Sequence, residues 1–130
     1  MALLAHVAGS TGRLMKKKRI NSRVKGKVGE RAWASLCTNE GYPAYRTAQV
    51  AGNFNANNEG VADVACDSLP DMHFEVKVGA CPHPWNALEQ AERDAATGKF
   101  PIAALRKDRH KFIVAMSADT YFRMVRGDHL

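Results

Sequence analysis

The sequence predicts an α/β fold, and two patterns carry that expectation. A helix-period stretch opens the ordered part of the chain, and short strand-period runs follow it with one further helix between them. Read along the chain, the order is α-β-β-β-α-β-β-α. With 130 residues there is room for one hydrophobic core and not for two ordinary domains, so any chemistry and any substrate contact share one compact unit.

From Arg23 to Glu40, Val28, Ala32, Trp33, Leu36 and Cys37 form an apolar stripe expected to face the core, with Gly41 as a left-handed stop. Tyr42 to Val50 reads as a strand, followed by a polar loop through Gly52, Asn53, Asn55, Asn57, Asn58 and Gly60. Val61–Ala65 and Met72–Val78 read as two strands whose short connector, Asp67 to Asp71, suggests an antiparallel hairpin. A second helix is expected from Trp85 to Thr97, with Trp85, Leu88, Ala91 and Ala95 on its core face and Gly98 at its end. Phe100–Leu105 and Lys111–Met116 are near-continuous apolar runs, as expected of strands covered on both faces. Ser117 or Asp119 can cap a last helix.

The formal net charge is +6, which points to a polyanionic partner, either nucleic acid or an anionic surface. Lys16, Lys17, Lys18, Arg19, Arg23, Lys25, Lys27 and Arg31 put eight cations within sixteen residues against one acid, Glu30. Such a run is either a solvated tail or a DNA-gripping segment. Residues 1–22 are expected to be a basic, flexible arm and 23–130 the folded domain. No apolar run reaches the roughly 20 residues of a membrane span, and Met1 to Met15 lacks the pattern of a secretory signal. Cys37, Cys66 and Cys81 are odd in number and unrelated in spacing, which argues against a disulfide framework and for reduced thiols. A cytoplasmic protein without a membrane partner is the expectation.

The chemistry centres on Met72-His73-Phe74-Glu75-Val76-Lys77-Val78. The two-residue period of a strand sends the apolar residues to one face and His73, Glu75 and Lys77 to the other. Asp63, in the preceding strand of the hairpin, can then approach Glu75 across the sheet. Two carboxylates so close require a cation, and hard oxygen ligands suit Mg²⁺, with Mn²⁺ able to substitute. Such an ion beside the Lys77 ammonium fits hydrolysis of a phosphodiester. An isolated Glu-x-Lys is more often an exposed salt-bridged face; it is the coincidence with Asp63, the apolar frame and the basic chain that favours a site.

Other residues admit two readings. Glu30 lies beside the buried stripe and is either a fourth member of the site or a capping or salt-bridging acid. Gly26 and Gly29 either let the backbone approach a phosphate or the metal cluster, or fray the helix start. Gln90 can hold Lys77 or a phosphate, or be solvated. His73 is expected to be a packed or surface histidine more than a general base. Arg46, Arg106, Lys107, Arg109 and Lys111 are expected to grip phosphate, with solvated charge as the default for each.

Asp63 with Glu75-Val76-Lys77 resembles the motif of the PD-(D/E)xK nuclease superfamily. Ala62 stands where that motif commonly has proline. Within the superfamily, Lys25-Gly26-Lys27-Val28-Gly29-Glu30-Arg31 is similar to the start of the Holliday-junction-resolvase-like branch. The runs Asp71 to Lys77 and Ala87-Leu88-Glu89-Gln90-Ala91 are similar to small phage-encoded resolvases and nucleases of that branch. The resemblance covers about residues 23–116. It implies a restriction-endonuclease-like αβββαβ core with a mixed central sheet flanked by helices. It implies catalysis by Glu30, Asp63, Glu75 and Lys77, aided by Gln90. It implies Mg²⁺ held by Asp63, Glu75 and the Val76 backbone carbonyl, with Glu30 acting through water. It also implies a DNA substrate, Holliday junctions or other branched DNA first. Duplex, nicks, flaps or ends are the alternative specificity, and a non-catalytic nucleic-acid-binding module is the alternative function. It implies a homodimer and host cytoplasm for a phage-encoded protein.

Overall fold

The computed structural model of the chain describes residues 22–47 and 62–128. Lys16, Lys17, Lys18 and Arg19, the polar loop after the first strand, and the outer part of that strand to Val50 lie outside the described residues. The elements are α1 (Ser22–Asn39), β1 (Ala44–Arg46), β2 (Val64–Cys66), β3 (Met72–Gly79), α2 (Pro84–Asp94), β4 (Phe100–Lys107), β5 (Ile113–Ala115) and α3 (Ala118–Arg126). The order read from the sequence holds throughout.

The five strands form one mixed sheet in the order β1-β2-β3-β4-β5. The pairs β1/β2, β2/β3 and β4/β5 are antiparallel, whereas β3/β4 is parallel because α2 carries the chain back between them. On one face, Trp33 of α1 meets Phe74 and Phe112 edge to face at 5.4 and 5.2 Å, over Val64, Val76, Ile102 and Ala104. On the other, Ala87 and Leu88 of α2 cover Ala103 and Leu105. Two helices therefore sandwich β3 and β4, and the residues on both faces of β3 between 73 and 76 are buried.

The buried side of α1 is turned from the expected stripe. Trp33, Ala34 and Cys37 are buried, while Val28 and Leu36 are 49% and 37% exposed. Gly29 explains the rotation, because a Cβ there would lie 2.7 Å from Cγ2 of Val78. The missing side chain lets the helix settle on β3. Gly26 has open space around it. The two glycines should thus respond oppositely to alanine. Gly26→Ala is expected to stabilise the protein by about 0.5–1 kcal/mol through helix propensity. At Gly29 the same gain is outweighed by overpacking against a stiff Val, so Gly29→Ala should lower stability by about 1–2 kcal/mol in urea unfolding. The helix ends as expected at Gly41, with φ of 103° and a Tyr42 N–H to Cys37 carbonyl bond of 2.9 Å.

Three other expectations need correction. The second helix runs Pro84–Asp94, started by His83, whose Nδ1 accepts from the Asn86 N–H, and it stops at Ala95, which is extended. Gly98 is instead in the following turn, with φ of 90°. Trp85, on the first turn of α2, is 71% exposed, and Ala87, Leu88 and Ala91 make the core contact. The last strand is only Ile113–Ala115 and is not covered on both faces; as the sheet's edge it leaves Ile113 59% exposed. Ser117 caps α3 by accepting from the Thr120 N–H.

Candidate active site

Strand alternation positions the acids. Phe74 and Val76 enter the core under α1, which sends His73, Glu75 and Lys77 to the face covered by α2. His73 and Glu75 are 2% and 3% exposed, and Lys77 emerges at the rim with its side chain exposed. Glu75 is therefore a buried acid in the middle of a sheet, where its Oε2 has no hydrogen-bond partner among the described residues. An unsatisfied buried carboxylate oxygen is costly unless something else satisfies it.

Asp63 is brought to Glu75 by an irregular end of β2. Val64 is in register with Phe74, yet the Asp63 N–H also turns to the Phe74 carbonyl, at 3.0 Å. Two successive residues thus meet one residue of β3, as at a bulge, and the step aims the Asp63 side chain along the strand. Its Oδ2 accepts from the Val76 N–H at 2.9 Å, replacing the backbone carbonyl that a longer β2 would have offered. The Val76 carbonyl leaves the same edge of β3 as its N–H, so it opens beside Asp63.

The electrostatics match this geometry. Burial, then the Asp63 charge, pushes Glu75 up to about 8, with Lys77 opposing. The Asp63 charge disfavours a second charge on Glu75, so the pair favours holding one proton or a cation in its place. Glu30 is also raised, first by burial; Arg46 opposes this, while Asp63 raises and Lys77 lowers it further. Glu30 thus lies within electrostatic reach of both Asp63 and Lys77.

Glu30 is also a salt-bridging acid: its Oε1 accepts from Arg46 Nε at 2.9 Å. Both readings of this residue apply together. Arg46 is only 6% exposed, so it is an internal partner of Glu30 and not a surface grip on phosphate. Nothing in the sequence separated it from the other cations, because charge does not report burial. His73 is packed, with its pKa lowered chiefly by burial, as the packed reading expects. Gln90 is half-buried, and no hydrogen bond joins it to Lys77.

Among the described residues, no group of three or more His, Cys, Asp or Glu side chains is arranged to hold a metal ion. The unit available to a cation is therefore the Asp63–Glu75 pair, with the Val76 carbonyl beside it. Comparison with protein-family models, curated proteins and solved structures gave no match. The chemistry of the site has to be read from its own residues.

The remaining cations lie at or near the surface. Arg23, Lys27 and Arg31 are exposed at four-residue intervals along one flank of α1. Lys25 pairs with Asp108 across the end of β3, at 3.5 Å. Arg106 stacks over Phe112 at 4.8 Å, and Lys107 to Lys111 form an exposed turn between β4 and β5. No described helix is long and apolar enough to cross a membrane.

Proposed function

We propose that this chain is a Mg²⁺-dependent DNA endonuclease of restriction-endonuclease-like architecture, hydrolysing phosphodiester bonds in four-way or otherwise branched DNA. The observation that carries the reading is half-buried Asp63 beside buried Glu75, with an unsatisfied Glu75 oxygen and Lys77 on the same strand face as Glu75. A structural salt bridge does not account for it, since a two-carboxylate pocket with one weakly opposing cation is a poor way to stabilise a fold.

The donor set fits Mg²⁺ or Mn²⁺. Two carboxylates and a backbone carbonyl are hard ligands, and Mg²⁺ commonly takes one or two carboxylates while keeping water and substrate oxygens in its other positions. Such an ion would polarise the phosphodiester and supply a more acidic water. Asp63 and Glu75 would hold it, with Asp63 kept oriented by the Val76 N–H. Lys77, exposed at the rim and felt electrostatically by Glu75 and Glu30, orients the attacking water and offsets charge that builds on the phosphoryl oxygens. Arg46 binds the Glu30 carboxylate and opposes the burial that raises its pKa, which favours the ionised form that would act through water. Arg23, Lys27 and Arg31 supply backbone contacts that position DNA without reading its sequence. The branched substrate and the homodimer rest on the resemblance alone.

The deciding assay is cleavage of labelled four-way junction, flap, nicked and linear DNA, each with Mg²⁺ or with EDTA. Mg²⁺-dependent cutting, at least tenfold faster on the junction than on plain duplex, is expected. Equal cutting of plain duplex would remove the branched-DNA part and leave a nuclease of other specificity. Absence of cutting on every substrate, with DNA bound in EDTA, would leave a non-catalytic DNA-binding module.

A further inference from the structure

A groove of about 530 Å³ opens on the face of the sheet covered by α2, beside the end of that helix where it begins. Its apolar wall is made by Pro82 and Pro84 before and at the start of α2, Leu105 of β4 and Ile113 of β5. Lys107, His110 and Lys111, all exposed, stand on its rim. Cys81 also lines it and is exposed, whereas Cys37 and Cys66 are buried.

The position relative to the candidate active site follows from the strand register. Lys77 is paired with Leu105, and Leu105 with Ile113, so the three form one row across the same face of the sheet. Neighbouring strands lie roughly 4.8 Å apart. The groove therefore begins one strand from Lys77, about the distance between neighbouring groups of one nucleotide chain.

We infer that this groove binds an unpaired nucleotide of the DNA substrate, its base against Pro82, Pro84, Leu105 and Ile113 and its flanking phosphates on Lys107, His110 and Lys111. An apolar wall offers a face to any base, and the Lys107 and Lys111 ammoniums on the rim match the charge of the backbone on either side. The pairing of Lys25 with Asp108 strengthens the match, because it offsets the one acid in the turn from Lys107 to Lys111. A second copy of the chain fits less well: it would bring another cationic rim and another net charge of +6 against this one. The inference rests on the nuclease reading for the role of Lys77, but it concerns binding and is tested without catalysis. It supplies a physical reason for branched DNA to be preferred, since junctions and flaps offer unpaired nucleotides that plain duplex does not.

The test uses the full chain in EDTA with two fluorescein-labelled duplexes of equal length, one fully paired and one carrying a single bulged thymidine. Binding is followed by anisotropy. The wild type should bind the bulged duplex about tenfold tighter, and Ile113→Glu should bring both duplexes to the same affinity. Ile113 is exposed, so the glutamate remains solvated and the fold should tolerate it. Independently, the bulged duplex, and not the paired one, should slow alkylation of Cys81 by iodoacetamide in the unmutated protein. Equal affinities in the wild type, or Cys81 protected equally by both duplexes, would overturn the inference. So would sedimentation showing a dimer in the absence of DNA that Ile113→Glu dissociates, which would assign the groove to a second copy. Asp63→Asn should keep the bulge preference while losing cleavage, so failure of the groove and failure of the active site are read separately.

Discussion

Glu75→Gln should abolish cleavage and, in the same protein, remove a pH-dependent weakness of the fold. Removing a carboxylate from a two-acid cation site costs both affinity for the ion and charge stabilisation in the transition state, and a loss of at least about 10³-fold in rate is expected. Asp63→Asn should do the same while DNA binding in EDTA is kept or tightened, because the change removes a negative charge facing the phosphate. Unchanged cleavage in both variants would refute the site. The stability effect follows from the sign of the Glu75 shift. Its carboxyl ionises near about 8 in the folded chain and near the ordinary 4.5 when unfolded. Below about 4.5 both states are protonated and the group costs the fold nothing. Between those values the unfolded chain gives up a proton that the folded chain retains, so stability falls as pH rises, and it levels off above about 8. Thermal melts in EDTA should therefore show a wild-type disadvantage relative to Glu75→Gln that grows from pH 5 to pH 8. The comparison between the two proteins matters because His73, lowered by burial, acts in the opposite direction: its cost is present at low pH and relieved above its ordinary range near 6.5. Added Mg²⁺ should reverse the disadvantage by stabilising the ionised pair.

Alternation along Met72–Gly79 made the face shared by Glu75 and Lys77 legible, since a strand's period leaves no other arrangement once Phe74 and Val76 are in the core. What it did not show is that α2 covers that same face and buries Glu75, because burial depends on which helix packs where. The approach of Asp63 was legible as proximity across a hairpin. Its bond to the Val76 N–H was not, because that depends on β2 ending early. The orientation of α1 is not legible in the sequence for a related reason. Periodicity weighs side-chain hydrophobicity, and Gly29 has no side chain to weigh, yet its absence decides which side of the helix meets Val78. Trp85 and Ile113 read as core because they are apolar. Ile113 lies on the edge strand of the sheet, and the buried residues of α2 begin only after Trp85, at Ala87.

Arg46 provides the second large effect, and it separates a positioning role from a merely structural one. The residue is buried against a Glu30 side chain that is 19% exposed, so Arg46→Met leaves an acid without its partner in a site that already holds Asp63. Loss of one partner of a buried pair costs about 3–5 kcal/mol; partial exposure of Glu30 reduces this, and about 2–3 kcal/mol of destabilisation is expected in denaturant unfolding. Glu30 should then take up a proton more readily, and cleavage at neutral pH should fall by about 10–100-fold, in line with loss of a supporting residue behind a metal site. The double variant Arg46→Met with Glu30→Gln removes the unpaired charge and should regain most of the lost stability. It should not regain activity, because Glu30 is then unable to act on water at the site. If the double variant recovers both stability and cleavage, the ion pair only holds α1 to β1, and catalysis belongs to Asp63, Glu75 and Lys77 alone. If Arg46→Met keeps full cleavage in its folded fraction, Arg46 does not position Glu30. A rise in the pH needed for half-maximal cleavage in Arg46→Met, absent from the wild type and from Gly29→Ala, is the signature that destabilisation by itself would not produce.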